Sequence, residues 1–143
     1  MSAGRIHFLL VEDDEDHAEL IKMALAENRV VNTIDWVRDG EEALAFLRRH
    51  GPYADKTLPD VILLDLRIPK IDGITVLAKL KADDELRNIP VVVLTTSRAD
   101  VDRARAYSNH ANSFVTKPVD FEKFHQMIKD LGMYWSVWNQ KPG

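Results

Sequence analysis

The chain has 143 residues, 19 basic and 23 acidic side chains, a net charge of −4 and no cysteine. That length is one domain, large enough to bury a core without covalent or metal staples. The missing cysteines exclude thiolate catalysis and Cys-ligated metal centres, and the acidic balance excludes a nucleic-acid binder working through a basic face.

The apolar start at residues 6–11 runs straight into Glu12-Asp13-Asp14. It is too short and too acidic at its end for a signal peptide. No apolar run approaches the roughly 20 residues that span a bilayer. A cytoplasmic protein with no membrane and no direct nucleic-acid partner is expected. Of the acids, 15 are Asp and 8 are Glu. Asp is poor inside helices and favours caps, turns and sites, so the Asp residues divide into punctuation, as Asp14 or Asp16, Asp39, Asp72 and Asp120 where helices begin, and chemistry.

In chain order, residues 6–11 form a first buried strand. An apolar face within 15–28 marks a first helix. The alternation over 33–37 suits an edge strand. Asp39-Gly40-Glu41-Glu42 opens a second helix, closed by His50-Gly51-Pro52, and the segment 51–59 is a surface loop. The runs at 61–64 and 91–94 are strands buried on both faces, as in a parallel sheet. Ile74, Leu77 and Leu80 mark a third helix. Ser97 caps a fourth over 98–108, residues 113–116 form a short fifth strand stopped by Pro118, and Asp120 caps a fifth helix. Strict β-α alternation predicts a doubly wound α/β domain with helices on both faces of a parallel sheet.

Polar residues stand at four strand ends: Glu12 and Asp13 after the first, Asp65 after the third, Thr95 at the fourth and Lys117 after the fifth. Ligands of open α/β sheets bind in the crevice outside these carboxyl ends. Three crowded carboxylates call for a hard divalent cation, and oxygen ligands beside one lysine suit Mg²⁺. The metal, a hydroxyl and an ammonium around Asp65 cradle a phosphoryl group, with Asp65 as the nucleophile. The five histidines show no ligand spacing and are read as structural or exposed.

The stretches Leu9-Leu10-Val11-Glu12-Asp13-Asp14, Leu63-Leu64-Asp65-Leu66-Arg67-Ile68-Pro69-Lys70-Ile71-Asp72-Gly73, Val93-Leu94-Thr95-Thr96-Ser97 and Thr116-Lys117-Pro118 resemble the CheY-like receiver domain of two-component response regulators. The resemblance covers about residues 5–131. It implies a flavodoxin-like five-stranded sheet of order 2-1-3-4-5 with five helices. It also implies that Asp65 accepts a phosphoryl group from a sensor histidine kinase or a histidine phosphotransfer protein. Mg²⁺ would be held by Asp13 and Asp65, by Glu12 through water and by the Arg67 carbonyl. Thr95 and Lys117 would bind phosphoryl oxygens, Thr95 and Phe114 would form the switch, and the Lys117–Pro118 bond would be cis. Arg67 and Thr96, at the mouth of the site, would tune dephosphorylation and partner choice. The protein would be a signalling phosphoacceptor and not an enzyme. A haloacid-dehalogenase-like phosphatase needs an acid where Arg67 stands, and a flavodoxin-like cofactor binder needs a phosphate loop where Glu12-Asp13-Asp14 stands.

Phe121, Phe124, Ile128, Leu131, Trp135 and Trp138 recur at spacings of three and four, an a/d-type stripe. The expectation is a receiver domain over 1–131 and, over 132–143, an extension of the fifth helix serving as a homodimer arm. The first four of the stripe suffice to dock the fifth helix on the sheet, and Phe121, Phe124, Trp135 and Trp138 are the interface residues; the alternatives are a stop at Gly132 and a tail folded back on its own domain. The tail and the strand-end motifs resemble regulators paired with phytochrome sensor kinases. With no output segment in the 143 residues, the protein is expected to act by docking. The expected surface is the fourth helix, fifth strand and fifth helix, with Arg98, Arg103, Arg105 and Tyr107.

Overall fold

A computed structural model describes residues 6–27, 31–105 and 113–139, with side chains described except at 31, 32 and 133–139. Five strands, β1 (Ile6–Val11), β2 (Val31–Val37), β3 (Val61–Asp65), β4 (Val91–Thr95) and β5 (Ser113–Thr116), alternate with five α-helices. The helices are α1 (Glu15–Ala26), α2 (Gly40–Arg48), α3 (Gly73–Lys81), α4 (Arg98–Arg105) and α5 (Phe121–Asn139). All strand pairs are parallel and the order is β2-β1-β3-β4-β5. The chain reverses its winding between β1 and β3, so a crevice opens beyond their carboxyl ends.

Side chains alternate across a strand with period two, and each central strand here feeds two cores. Phe8 and Leu10, Val61 and Leu63, Val92 and Leu94 face one side, where Ala18, Ile21 and Leu25 of α1 and Phe124 and Ile128 of α5 cover them. Leu9 and Val11, Ile62 and Leu64, Val91 and Val93 face the other, under Leu44 and Leu47 of α2, Val76 and Leu77 of α3 and Ala104 of α4. Burial on both faces explains why these strands read as continuous apolar runs. β2 is an edge strand, as its alternation predicts.

Helix starts fall where the sequence places them. Asp14, Asp39 and Asp72 accept N-cap hydrogen bonds from the first turns of α1, α2 and α3. Ser97 Oγ accepts from Asp100 N at 3.2 Å, and Asp120 Oδ1 from Glu122 N at 2.8 Å. Within the expected 51–59 loop, Gly51–Tyr53 forms a 3₁₀ turn. Tyr53 there sets its ring 5.4 Å from that of Phe46. The described part of the fourth helix ends at Arg105, so Tyr107 lies outside the described residues.

Two expectations are corrected. Phe124, assigned to an interface, is fully buried in the core formed with α1. On a helix that packs on a sheet, only the side chains on the sheet-facing side are buried, and Phe124 lies there while Phe121 does not. The Lys117–Pro118 bond is trans, since no cis peptide occurs among the described residues; Lys117 N donates to Thr95 O at 2.7 Å and the side chain reaches the crevice from there. Gly132 does not stop α5, which continues to Asn139. Phe121 is exposed, while the side chains of Trp135 and Trp138 lie outside the described residues. Among those residues, no helix is long and apolar enough to cross a membrane.

Candidate functional site

Strand register brings the predicted polar residues together. β1 and β4 each pair with β3, so Glu12-Asp13, Asp65 and Thr95 end neighbouring strands. β5 delivers Lys117 from the far side of β4. Carboxylate oxygens of Glu12, Asp13 and Asp65 lie within 4.8 Å of one another. Lys117 Nζ donates to Asp65 Oδ2 at 2.8 Å and to Glu12 Oε1 at 2.5 Å. Asp65 Oδ1 accepts from Arg67 N at 3.0 Å. These groups, with Asp14, His17, Arg67 and Thr96, line a cavity of about 170 Å³.

The charges do not balance. Three carboxylates meet one ammonium in a site where Glu12 and Lys117 are buried. Burial, and then the negative charge of Asp65, push the Glu12 carboxyl up from 4.5 to about 7 against the pull of Lys117. Burial would lower the Lys117 ammonium, but Asp65 and Glu12 outweigh it and its pKa is raised. The surplus of negative charge, the hard oxygen donors and the close spacing fit a divalent cation.

Thr95 is buried at the end of β4, and its Oγ1 accepts from Ser97 N at 3.3 Å. Phe114 is half-buried against the core beneath α4, with the Arg105 guanidinium 4.9 Å from its ring centre. The Arg67 side chain turns outward, and its Nε donates to Asp100 Oδ2 at 2.7 Å.

Three participants escaped sequence reasoning. His17 Nδ1 lies 3.1 Å from Lys117 Nζ, and its ring stands edge-on to Phe124 at 5.5 Å. Trp36 Nε1 donates to the Glu12 carbonyl at 2.7 Å. Asp100 is a buried acid in the first turn of α4. His17 follows Asp14 by three residues, a spacing that puts it on the helix face toward the site. Nothing local marks the other two, because their partners are distant in sequence.

The response regulator receiver domain family matches residues 8–129, and the chain belongs to that family. It is a signalling module of two-component systems. The chain is 48% identical over 135 residues to the probable methanogenesis regulatory protein FilR2 of Methanothrix harundinacea strain 6Ac, covering 94% of this chain and 86% of that protein. Its fold is similar to that of the phosphorylated cyanobacterial phytochrome response regulator RcpA, with a TM-score of 0.89, 40% identity, and 97% and 99% of the two chains covered. It is also similar to the Mn²⁺-bound form of response regulator Rcp1, with a TM-score of 0.87, 35% identity, and 96% and 99% covered.

Proposed function

We propose that Asp65 is the phosphoacceptor of this response regulator and that Glu12, Asp13, Asp65 and the Arg67 carbonyl hold Mg²⁺. The observation that carries this reading is the meeting of three carboxylates and the Lys117 ammonium at adjacent strand ends. The phosphoryl donor is a phosphohistidine on a sensor histidine kinase or a phosphotransfer protein. Asp65 attacks phosphorus in line, a P–O bond forms, the P–N bond breaks, and the imidazole leaves with that electron pair. Lys117 exchanges part of its contact with Asp65 for a phosphoryl oxygen, and Thr95 donates its hydroxyl to another. Mg²⁺ held by these ligands would supply positive charge to the phosphoryl oxygens.

Arg67 stands where a hydrolase of this chemistry would need a general acid or base, so the reading is a signalling phosphoacceptor and not an enzyme with turnover. Thr95, drawn to the phosphoryl group, and Phe114, on the neighbouring strand β5, bias a two-state rearrangement of the α4, β5 and α5 face. The likeness to RcpA supports a phytochrome-type kinase as the donor. Because the phosphoryl group derives from ATP, the reaction is cytoplasmic. α5, continuing to Asn139 beyond the residues that dock it on the sheet, supports a homodimer arm. Phe121, exposed beside Leu20 and Met23 in a groove between α1 and α5, adds apolar surface to the same helix.

Incubation with Mg²⁺ and acetyl phosphate should place acid-stable, base-labile label on the protein. Asp65→Asn should abolish it, and label that persists in this variant would falsify the assignment.

A further inference from the structure

Arg67 joins two parts of the molecule. Its backbone N–H donates to Asp65 Oδ1, and the residue lines the acceptor cavity beside Asp13, Thr96 and Lys117. Yet its Nε donates to Asp100 Oδ2 at 2.7 Å. Asp100 is only 6% exposed. Its other oxygen accepts from Arg103 Nη1 at 3.3 Å, and the turn that carries it is capped by Ser97. The Arg67 side chain itself is 67% exposed. A flexible, solvated cation is therefore aimed by a carboxylate that is fixed and desolvated. Taking one cation from a buried carboxylate leaves charge uncompensated, so Asp100 holds its partners firmly.

We propose that Asp100 is a positioning residue that latches the Arg67 guanidinium away from the phosphoryl group on Asp65. The latch leaves the acceptor cavity open to water and keeps the phosphoryl group short-lived. The inference rests on the phosphoacceptor reading. In the decay step, a water oxygen forms a bond to phosphorus and the Asp65–phosphorus bond breaks. Inorganic phosphate departs, the carboxylate is restored, and the water proton passes to solvent. A released guanidinium would be drawn to the phosphoryl oxygens, which its planar fork matches. In a cavity of about 170 Å³ it would cover the side from which water attacks. On this proposal the latch holds through phosphorylation, the phosphoryl charge being met by Lys117, which already reaches Asp65.

The test follows decay of label from acetyl phosphate with Mg²⁺ after the donor is removed. Asp100→Ala should retain label roughly tenfold longer than the parent, the effect of one added charge-assisted contact. Arg67→Ala should decay at least as fast as the parent, and the double variant should decay like Arg67→Ala. A parent-like lifetime in Asp100→Ala overturns the latch. So does a lengthening that survives in the Arg67→Ala background, as a purely structural disturbance of α4 would. Parent protein that takes no label at all overturns the phosphoacceptor reading and the latch with it. Should Asp100→Ala fail to fold, nitrogen-15 NMR of the parent decides. The Arg67 Nε–H should stay protected from exchange in the phosphorylated protein, and loss of protection overturns the proposal.

Discussion

Trp36 holds the acidic loop from outside it. The Glu12 backbone is pinned twice by the end of β2, its N–H on the Val37 carbonyl at 3.1 Å and its own carbonyl under the indole N–H at 2.7 Å. Lys22 lies 4.5 Å and Arg38 4.9 Å from the ring centre, and both pair with α1 glutamates. Trp36→Phe keeps a smaller aromatic ring and removes the N–H donor, so Mg²⁺ affinity should fall at least about fivefold, the worth of one ordinary hydrogen bond. Calorimetric titration measures it, and an unchanged affinity would show that the loop needs no such support. Glu12 itself sets a pH dependence. Its folded pKa of about 7 lies above the ordinary 4.5, so the folded state binds this proton more tightly than the unfolded one. Metal-free stability from this group is full below about 4.5 and is lost as pH rises toward 7. A divalent cation needs the deprotonated form, so the gap in Tm between Mg²⁺ and chelator should widen over the same window. That widening should disappear in Glu12→Gln; a gap that ignores pH, or survives that change, contradicts the assignment.

At the scale of elements, the helix starts were legible because an N-cap is a local event. Asp14, Asp39, Asp72, Ser97 and Asp120 each bond backbone groups two or three residues ahead, within the reach of a sequence window. Close approach between elements is not local. A Cβ on Gly40 would stand 1.9 Å from the Ile71 carbonyl oxygen, and one on Gly73 would stand 2.4 Å from Leu66 Cα. Both glycines let the loop after β3, which carries Arg67, sit against the starts of α2 and α3. Gly40→Ala would raise helix propensity in isolation. In this fold it should cost at least about 2 kcal/mol by overpacking against backbone. Urea unfolding tests this, and a loss below about 0.5 kcal/mol would mean that the loop yields freely. The apolar stripe of α5 shows the same limit. Its spacing predicted a helix correctly, but spacing alone did not separate the buried Phe124 from the exposed Phe121.

At the scale of the whole molecule, two cores on opposite faces of one sheet hold four strand ends in a fixed relation. The site is therefore rigid wherever strands supply it, and adjustable where Arg67 and Phe114 meet α4. The extended α5 carries the assembly prediction. Protein truncated after Leu131 should sediment as a monomer while the full chain sediments as a dimer. A truncated chain that remains dimeric would move the interface elsewhere. Because Phe124 and Ile128 are retained in that truncation, its fold should survive, and circular dichroism checks it.

The sequence by itself determined the βα alternation, the burial of the central strands, the helix caps and the placing of Glu12, Asp13, Asp65, Thr95 and Lys117 at strand ends. These are matters of period, local hydrogen bonding and position within an element. The family resemblance already implied the strand order; only the tertiary structure decided the burial that, with the negative charge of Asp65, raises Glu12. It alone revealed the grip of Trp36 on the acidic loop and of Asp100 on Arg67, and the inward turn of Phe124. Each of these joins groups far apart along the chain, 24 residues for Trp36 and Glu12 and 33 for Arg67 and Asp100. Such pairs form because packing two layers of helices on one sheet brings distant segments of the chain within hydrogen-bond reach.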